Sequence, residues 1–312
     1  MTPPSDPIRS GDTQPAISRP GRLAFALALA LGAAGCATTD VVEETKSAPP
    51  LLVSSETLAT AERAIDQGRY DDARLVLERV LLAEPDNARA QLALAEIHLA
   101  HNGLEAAIRG FEALTDRAEV AGRAHQGIGI ALLLQSRDDE AVKTLEQAVA
   151  LDPNLWRAWN ALGSYHDRNR AWADAGRSYD KALAVKPDSA ILYNNRGFSN
   201  LLQHRFDSAI SDFTVALRFD PDLTPARENL RLALAWTGQY QQALFGVPQA
   251  EIGGAFNNIG FVALLRGDFD AAESYLLRSM EADPTFNRVA NKNLEYLKNL
   301  RLIKAAAVAG ET

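Results

Sequence analysis

From residue 54 onward, apolar and small residues recur with a helical period, and the pattern resets at a fixed interval. The stretch Trp156–Asp188 shows the unit. Its first half places Trp159, Leu162, Gly163 and His166 at helical spacing. Its second half does the same with Ala175, Tyr179 and Ala182, then stops at Pro187–Asp188. A glycine on one helix facing an alanine on the next lets the two backbones approach closely, which predicts an antiparallel helical hairpin. One such hairpin cannot bury its apolar face alone, whereas stacked copies can.

The copies can be followed by position. The second-helix alanine recurs as Ala73, Ala107, Ala141, Ala175, Ala209 and Ala243, and after one shortened step as Ala272. A small first-helix residue keeps the same step through Ala61, Ala95, Gly129, Gly163 and Gly197, and reappears at Gly260. Pro85, Pro153, Pro187, Pro221 and Pro284 close successive units. The residues after them (Asp86, Asn154, Asp188, Asp222 and Thr285) are N-cap types, so each is expected to start the next helix. The second hairpin has Glu119 where the proline would stand. In the sixth, Tyr240–Ala243 is followed by Phe245-Gly246-Val247-Pro248, which predicts a second helix shortened by about five residues. That shortening reads either as a tolerated deletion or as a notch used by a partner. After Pro284, Val289, Leu297, Leu300 and Ile303 share one helical face, with Arg288, Lys292, Lys298, Arg301 and Lys304 elsewhere. A helix of that kind is expected to cap an open stack.

With several residue classes sharing one period of 34, the chain resembles the tetratricopeptide repeat family over residues 54–286. The resemblance implies an all-α fold, a superhelical solenoid of about seven helix hairpins plus a C-terminal capping helix over 287–312. A composition of 47% hydrophobic but only 7% aromatic residues suits such an Ala/Leu-rich stack. The net charge of −8 offers no basic excess for nucleic acid.

The N-terminal region has a different grammar. Residues 1–22 are rich in Pro and Ser and end in Arg19 and Arg22, directly before the apolar run Leu23–Ala34. Twelve residues are too few to span a bilayer comfortably but suit a signal-peptide core. The run closes on Gly32-Ala33-Ala34-Gly35-Cys36, and Cys36 is the only cysteine of the chain. Small residues before a single cysteine resemble the lipobox of bacterial lipoproteins. That resemblance implies residues 1–35 as signal peptide, diacylglycerol on the Cys36 thiol, and an acylated new amino terminus. Ala33 departs from the leucine commoner at that place, and the leader is long. An ordinary secretory signal, or an uncleaved anchor with the cysteine incidental, remains the alternative. Ala37 rather than aspartate after the cysteine implies the periplasmic face of the outer membrane. Residues 36–53 contain Pro49–Pro50 and read as a lipidated tether, spanning on the order of 20–25 Å as a coil.

Catalytic chemistry finds no foothold in the pattern. There is no phosphate-binding glycine loop, no cysteine paired with histidine and no HExxH or paired-cysteine metal spacing, so neither an enzyme, a metal site nor a cofactor is expected. Of the five histidines, His98 and His166 fall at the same place in their repeats, which reads as helix packing; His98 and His101 have helical spacing but no third ligand.

Binding is expected on the face that the first helices present. Arg89, Arg123 and Arg157 stand one period apart, which predicts a ridge of guanidinium groups for carboxylates of an acidic or C-terminal peptide; the alternative is three solvated surface arginines. Asn195, Asn229 and Asn258 also keep the step, with Asn160, Asn194 and Asn257 one residue earlier. Amides at one height in each repeat can bond an extended backbone whatever its side chains, and resemble the asparagine ladders of peptide-binding tetratricopeptide grooves. Phe198, Leu232 and Phe261, with Trp236 nearby, give either an apolar half of the groove or inter-repeat core. Arg196 and Arg231 occupy places usually apolar and small, and are expected to snorkel into the groove.

The C-terminal run from Glu228 to Leu297 is similar to the TadD family, the tetratricopeptide lipoproteins of tight-adherence (Flp) pilus assembly. That resemblance implies a pilotin-like scaffold binding envelope proteins, a secretin or pilus component among them, and held to the membrane by acyl chains on Cys36. A tetratricopeptide adaptor for peptidoglycan hydrolases or for β-barrel assembly is the alternative.

Overall fold

The computed structural model describes residues 55–310. The expected signal peptide, the Cys36 acylation site and the tether lie outside the described residues.

Helices account for all the regular structure of the described residues, in hairpin order. The first two hairpins are α1 (Ser55–Asp66) with α2 (Tyr70–Ala83), and α3 (Ala88–Ala100) with α4 (Leu104–Glu112). Next come α5 (Ala121–Leu134) with α6 (Asp138–Leu151), and α7 (Trp156–Arg168) with α8 (Trp172–Val185). α9 (Ala190–Leu202) and α10 (Phe206–Phe219) follow in chain order, and then α11 (Thr224–Trp236) with α12 (Tyr240–Ala243). A seventh, α13 (Ile252–Arg266) with α14 (Phe269–Ala282), precedes the long α15 (Asn287–Gly310). The seven hairpins and terminal helix of the expected tetratricopeptide fold are all present.

The turn inside each hairpin has one geometry. A residue with positive φ stands at Gly68, Asn102, Ser136, Arg170, His204, Gly238 and Gly267, again at the repeat step. The next N–H bonds back to a carbonyl five residues earlier, as in Arg69 to Ala64 and Ala171 to His166. This is the Schellman closure, which satisfies the last carbonyls of the first helix and reverses the chain.

The turns between hairpins differ from expectation. Helices begin three residues after the prolines, so the cap positions are Asn87, Leu155, Ser189 and Leu223. Among these only Asn87 caps with its side chain, accepting from the Ala90 N–H at 3.1 Å. Asp86, Asn154, Asp188, Asp222 and Thr285 stand in the corner instead. There the residue before proline supplies the order: Asp152 Oδ1 accepts from the Asn154 N–H and Asp283 Oδ1 from the Thr285 N–H, both at 2.9 Å. An aspartate bonding two residues ahead is a turn former, which holds the chain out of helix for that span.

The chain forms two compact units, one of residues 55–203 with 218–221 and one of 204–217 with 222–310. In the first, Leu77, Phe111, Leu145 and Tyr179, each the large residue four after the second-helix alanine, are buried between neighbouring helices. In the second, Phe256, Ile259, Val262 and Tyr275 form one core with Leu234 and Ala243, and Leu264, Leu276, Ala290 and Leu297 form another. α15 lies on α14 through that second core and is tied by Arg301 to Glu273 at 2.8 Å and to Asp270 at 2.7 Å. Its buried seam is Ala290, Asn293, Leu294 and Leu297, whereas Ile303, expected on that face, is 66% exposed.

The shortened sixth hairpin is more extreme than its sequence suggested. α12 has four residues against fourteen in α6, α8 and α14, a deficit nearer ten than five. After Ala243 the chain tightens into turns in which the Leu244 and Phe245 N–H groups bond three residues back, to Gln241 and Gln242, and Gly246 at φ +69° then takes it out of the helical path.

Candidate functional site

The first helices of the N-terminal unit carry two polar clusters, one of charged residues and one of amides. In the first, Arg89 Nη2 lies 2.9 Å from Glu62, and Arg123 Nη2 lies 2.9 Å from Glu96. A longer contact of 3.9 Å joins Arg123 to Glu62, so four side chains from α1, α3 and α5 alternate in sign. The bare guanidinium ridge expected from the arginines is therefore a ladder of arginine and glutamate. Glu62 and Glu96 are themselves one repeat apart, and that shared step with the arginines was the signal available in the sequence. Arg157 is exposed, with its guanidinium 5.2 Å from the ring centre of Trp156 on its own helix.

Farther along, the asparagines take over. Asn195 on α9 donates through Nδ2 to Asn160 Oδ1 on α7 at 2.9 Å, and Asn194 donates to Asn195 at 3.3 Å. Asn160 is buried, while Asn194 and Asn195 are half-buried. Two neighbouring first helices are thus bridged by amides that bond to each other, whereas the sequence pattern set them toward the backbone of a bound peptide. In the C-terminal unit Asn257 is buried and donates to Asn258, which is exposed; Asn229 is half-buried.

The apolar candidates divide. Phe198 is half-buried. Phe261 packs against the core formed by α13, α14 and α15, and Leu232 and Trp236 pack against the other core of the C-terminal unit. Trp236 stacks on Phe206 with ring centres 5.4 Å apart. Of the two unusual arginines, Arg196 is paired with Asp180 at 3.0 Å. Arg231 reaches Glu251 at 3.5 Å with its side chain only 16% exposed, which makes it an inward residue rather than a snorkelling one.

A further polar cluster is one the repeat pattern concealed. Asp167, at the end of α7, is 3% exposed. Its Oδ2 accepts from the Tyr179 hydroxyl of α8 at 2.8 Å and its Oδ1 from the Ser199 hydroxyl of α9 at 2.6 Å. Burial pushes the Asp167 carboxyl above its ordinary pKa, partly opposed by those two hydrogen bonds. The Tyr179 hydroxyl is pushed well up, first by burial and then by the adjacent carboxylate. Tying three helices through one acceptor fixes the packing of two consecutive repeats.

A solvated counterpart sits in the C-terminal unit. The Tyr240 hydroxyl donates to Asp268, and Arg266 Nε lies 3.0 Å from the same carboxylate oxygen. The Asp268 carboxyl is held below its usual range by the tyrosine hydroxyl first and Arg266 second, while Tyr240 is raised to about 12, chiefly by burial.

The histidines do not assemble. His98 is exposed, contrary to the packing place expected for it, because Ala106, Gly110 and Ala113 opposite are too small to cover it. It rims an open cavity of about 270 Å³ with Gln91, Leu94 and Ala95. His166 lies edge-on to Tyr165. Among the described residues no group of three or more His, Cys, Asp or Glu side chains is placed to hold a metal ion, and no helix is long and apolar enough to cross a membrane.

Profiles of the tetratricopeptide repeat match residues 64–126, 98–155, 139–184, 160–224 and 254–286, together well over half of the chain. A tetratricopeptide repeat-containing protein of Caenorhabditis elegans, trd-1, is 23% identical over 177 residues, covering 57% of this chain and 22% of that protein. Protein FlbA of Caulobacter vibrioides is 28% identical over 141 residues, covering 41% of this chain and 24% of FlbA. The chain therefore spans under a quarter of the length of these curated relatives. Among solved structures, the APC/C hetero-tetramer Cut9–Hcn1 has a chain similar in fold at TM-score 0.55 and 18% identity, covering 78% of this chain and 56% of that one. Repeat period, hairpin geometry and profile matches agree, and the chain belongs to the tetratricopeptide repeat family.

Proposed function

We propose that this chain is a protein-interaction scaffold that holds a segment of a partner protein along its first helices. The observation that carries the reading is the set of polar side chains on the first helices, the arginine–glutamate ladder of α1, α3 and α5 and the amide bridge from Asn195 to Asn160. Such a set offers donors and acceptors at the repeat spacing, to which an extended backbone and its carboxylates can bond in place of the internal partners. No bond-making step is assigned to any residue; the chain is proposed to bind, not to catalyse.

In its finer form the proposal places the scaffold at the outer membrane, on the periplasmic side, anchored by acyl chains on Cys36. There it helps a secretin or another component of a tight-adherence (Flp) pilus to assemble. The support is the sequence around Cys36 and the likeness of the C-terminal repeats to the TadD family. Two experiments separate the levels. The acylated protein is used to capture envelope partners, read by mass spectrometry, with the double variant Arg123→Glu, Asn195→Ala as control. The variant is expected to lose at least roughly tenfold in capture of a defined partner, about the cost of one charge-assisted contact; undiminished capture removes the first-helix side chains from the reading. Cys36→Ser is expected to release the chain from the membrane fraction, and retention there rules out the acyl anchor while leaving the scaffold intact.

A further inference from the structure

Two exposed patches of the N-terminal unit depart from the repeat, and hairpin packing requires neither. At the first, Trp156 stands where the adjoining repeats have Ala88, Gly122 and Ala190, and Lys186 where they have Asp152 and Asp220. Lys186 cannot make the turn bond that Asp152 makes. It lies over the Trp156 ring instead, with Nζ 4.8 Å from the ring centre. One turn along α7, Lys181 Nζ lies 4.0 Å from the centre of the Trp159 ring. Both rings are half-buried and pack against the same cluster, Ala182, Leu183 and Leu192. These contacts gather two ammonium groups and two indoles on one patch. Both lysines are exposed, and among the described residues neither has a carboxylate partner.

The second patch lies on α2. Leu75 replaces the Arg109, Lys143 and Arg177 of the next three repeats, and Leu82 replaces their Asp116, Ala150 and Ala184. The two leucines are 59% and 84% exposed. Asp71, Leu75, Glu78 and Leu82 fall at i, i+4, i+7 and i+11 of one continuous helix, so carboxylate and leucine alternate along a single face. All four are exposed. Glu78, between the leucines, has no cationic partner among the described residues, and Asp71 is held only loosely by Arg74 at 3.7 Å. Arg79 stands at the edge of the stripe.

We propose that each patch is covered by a second copy of this chain, the α2 stripe of one molecule lying across the Trp156–Trp159 patch of the next. Asp71 and Glu78 then meet Lys181 and Lys186, and Leu75 and Leu82 cover the half-buried rings. Complementarity selects this occupant: one patch is cationic and aromatic, the other aliphatic with carboxylates between. Asp71 and Glu78 stand roughly 10 Å apart along α2, within reach of two lysines on flexible four-carbon stems. An ammonium on an indole face keeps N–H donors directed away from the ring, open to a carboxylate. Because two different patches meet, copies add head to tail rather than closing as a twofold pair. Four residues against two rings bury less than the roughly 1,200 Å² of a stable interface, so association is expected at about 0.1–1 mM. Neither the arginine–glutamate ladder nor the amide bridge takes part, so this contact and the groove can fail independently.

The test is sedimentation of the full chain at concentrations up to about 1 mM. Each patch is removed by installing the residues of an adjoining repeat. Lys181→Gln with Lys186→Asp copies Gln147 and Asp152, and Leu75→Arg with Leu82→Asp copies Arg109 and Asp116. The unaltered chain is expected to gain mass with concentration, and each double variant alone to associate at least about tenfold more weakly. An equimolar mixture of the two variants is expected to form a dimer and nothing larger, because each keeps the patch that the other has lost. An unaltered chain that stays monomeric overturns the proposal, as does a variant that associates undiminished or a mixture no different from its components. Phosphatidylglycerol vesicles that bind the unaltered chain but not Lys181→Gln, Lys186→Asp, with no self-association in solution, would overturn it in favour of a lipid surface.

Discussion

Hairpins α7/α8 and α11/α12 begin from the same pattern and end differently. In the first, Gly163 accepts the ring of Tyr179, whose hydroxyl reaches on to the buried Asp167. In the second, the helix that would carry the large residue stops after four residues, and an inward arginine stands at the glycine position. The contrast shows that the small residue of the repeat is a response to its partner sixteen positions later, not a requirement of the first helix itself. Once the partner leaves the helix, the constraint lapses and a charged residue becomes admissible.

The largest effect is expected from breaking the rule where it holds. Gly163→Ala puts a methyl group into the Tyr179 ring, which is fully packed and pinned by its hydrogen bond, and should destabilise the fold by about 2–3 kcal/mol. Arg231→Ala removes a side chain with an unbonded buried N–H and should cost about 1 kcal/mol or less. Urea denaturation of both variants checks the pair. Equal losses would mean that the glycine and the arginine are under the same constraint after all.

How much of this was legible in the sequence follows from the same contrast. The hairpins and their number were readable because each depends on a residue type repeated at one step. The first-helix glycine, expected to face the second-helix alanine, lies instead under the large residue four positions after it, as Gly163 does under Tyr179. What escaped was non-periodic or depended on a partner. Glu62 and Glu96 neutralise Arg89 and Arg123 across helices, a pairing that needed both rows to be compared. Asp167 occurs in one repeat only, so no period announced it. The caps were displaced because a proline corner takes two residues before the helix begins, a matter of turn geometry rather than of residue preference. The length of α12 was misjudged because Pro248 was taken as the stop, whereas the helix already ends ahead of Gly246.

A second test sets the buried carboxylate of α7 against the solvated one of the C-terminal unit. Asp167→Ala leaves the Tyr179 and Ser199 hydroxyls without their acceptor and should cost about 2 kcal/mol. Because burial raises the Asp167 pKa, the folded chain binds that proton more tightly than the unfolded chain. Its contribution to stability is therefore greatest below the ordinary value of 3.8 and falls as pH rises through the folded value. Asp268 has the opposite sign: its pKa is depressed, so its contribution is present above 3.8 and is lost as pH falls through the folded value. Asp167→Asn should flatten the first dependence and Asp268→Asn the second, read as urea midpoints between pH 3 and pH 7. If either substitution leaves the slope unchanged, that carboxyl is not the group that sets it.

The smallest expected effect concerns the turns that both regions share. Seven hairpins use a positive-φ residue at the same place, and at Gly68, Gly238 and Gly267 it is glycine. Asn102, Ser136, Arg170 and His204 adopt the same backbone with a Cβ, at φ between +55° and +61°. For such residues the left-handed region costs about 1–2 kcal/mol, less for asparagine, whose side chain bonds locally. Replacing Arg170 by glycine removes that strain but frees the unfolded chain, and the two nearly offset. A net gain of about 0.5 kcal/mol is expected for Arg170→Gly, and less for Asn102→Gly. The order of the two gains is the informative reading, since it isolates the Cβ from everything else in the turn. A loss on Arg170→Gly would show that the arginine side chain contributes more to this corner than its backbone costs.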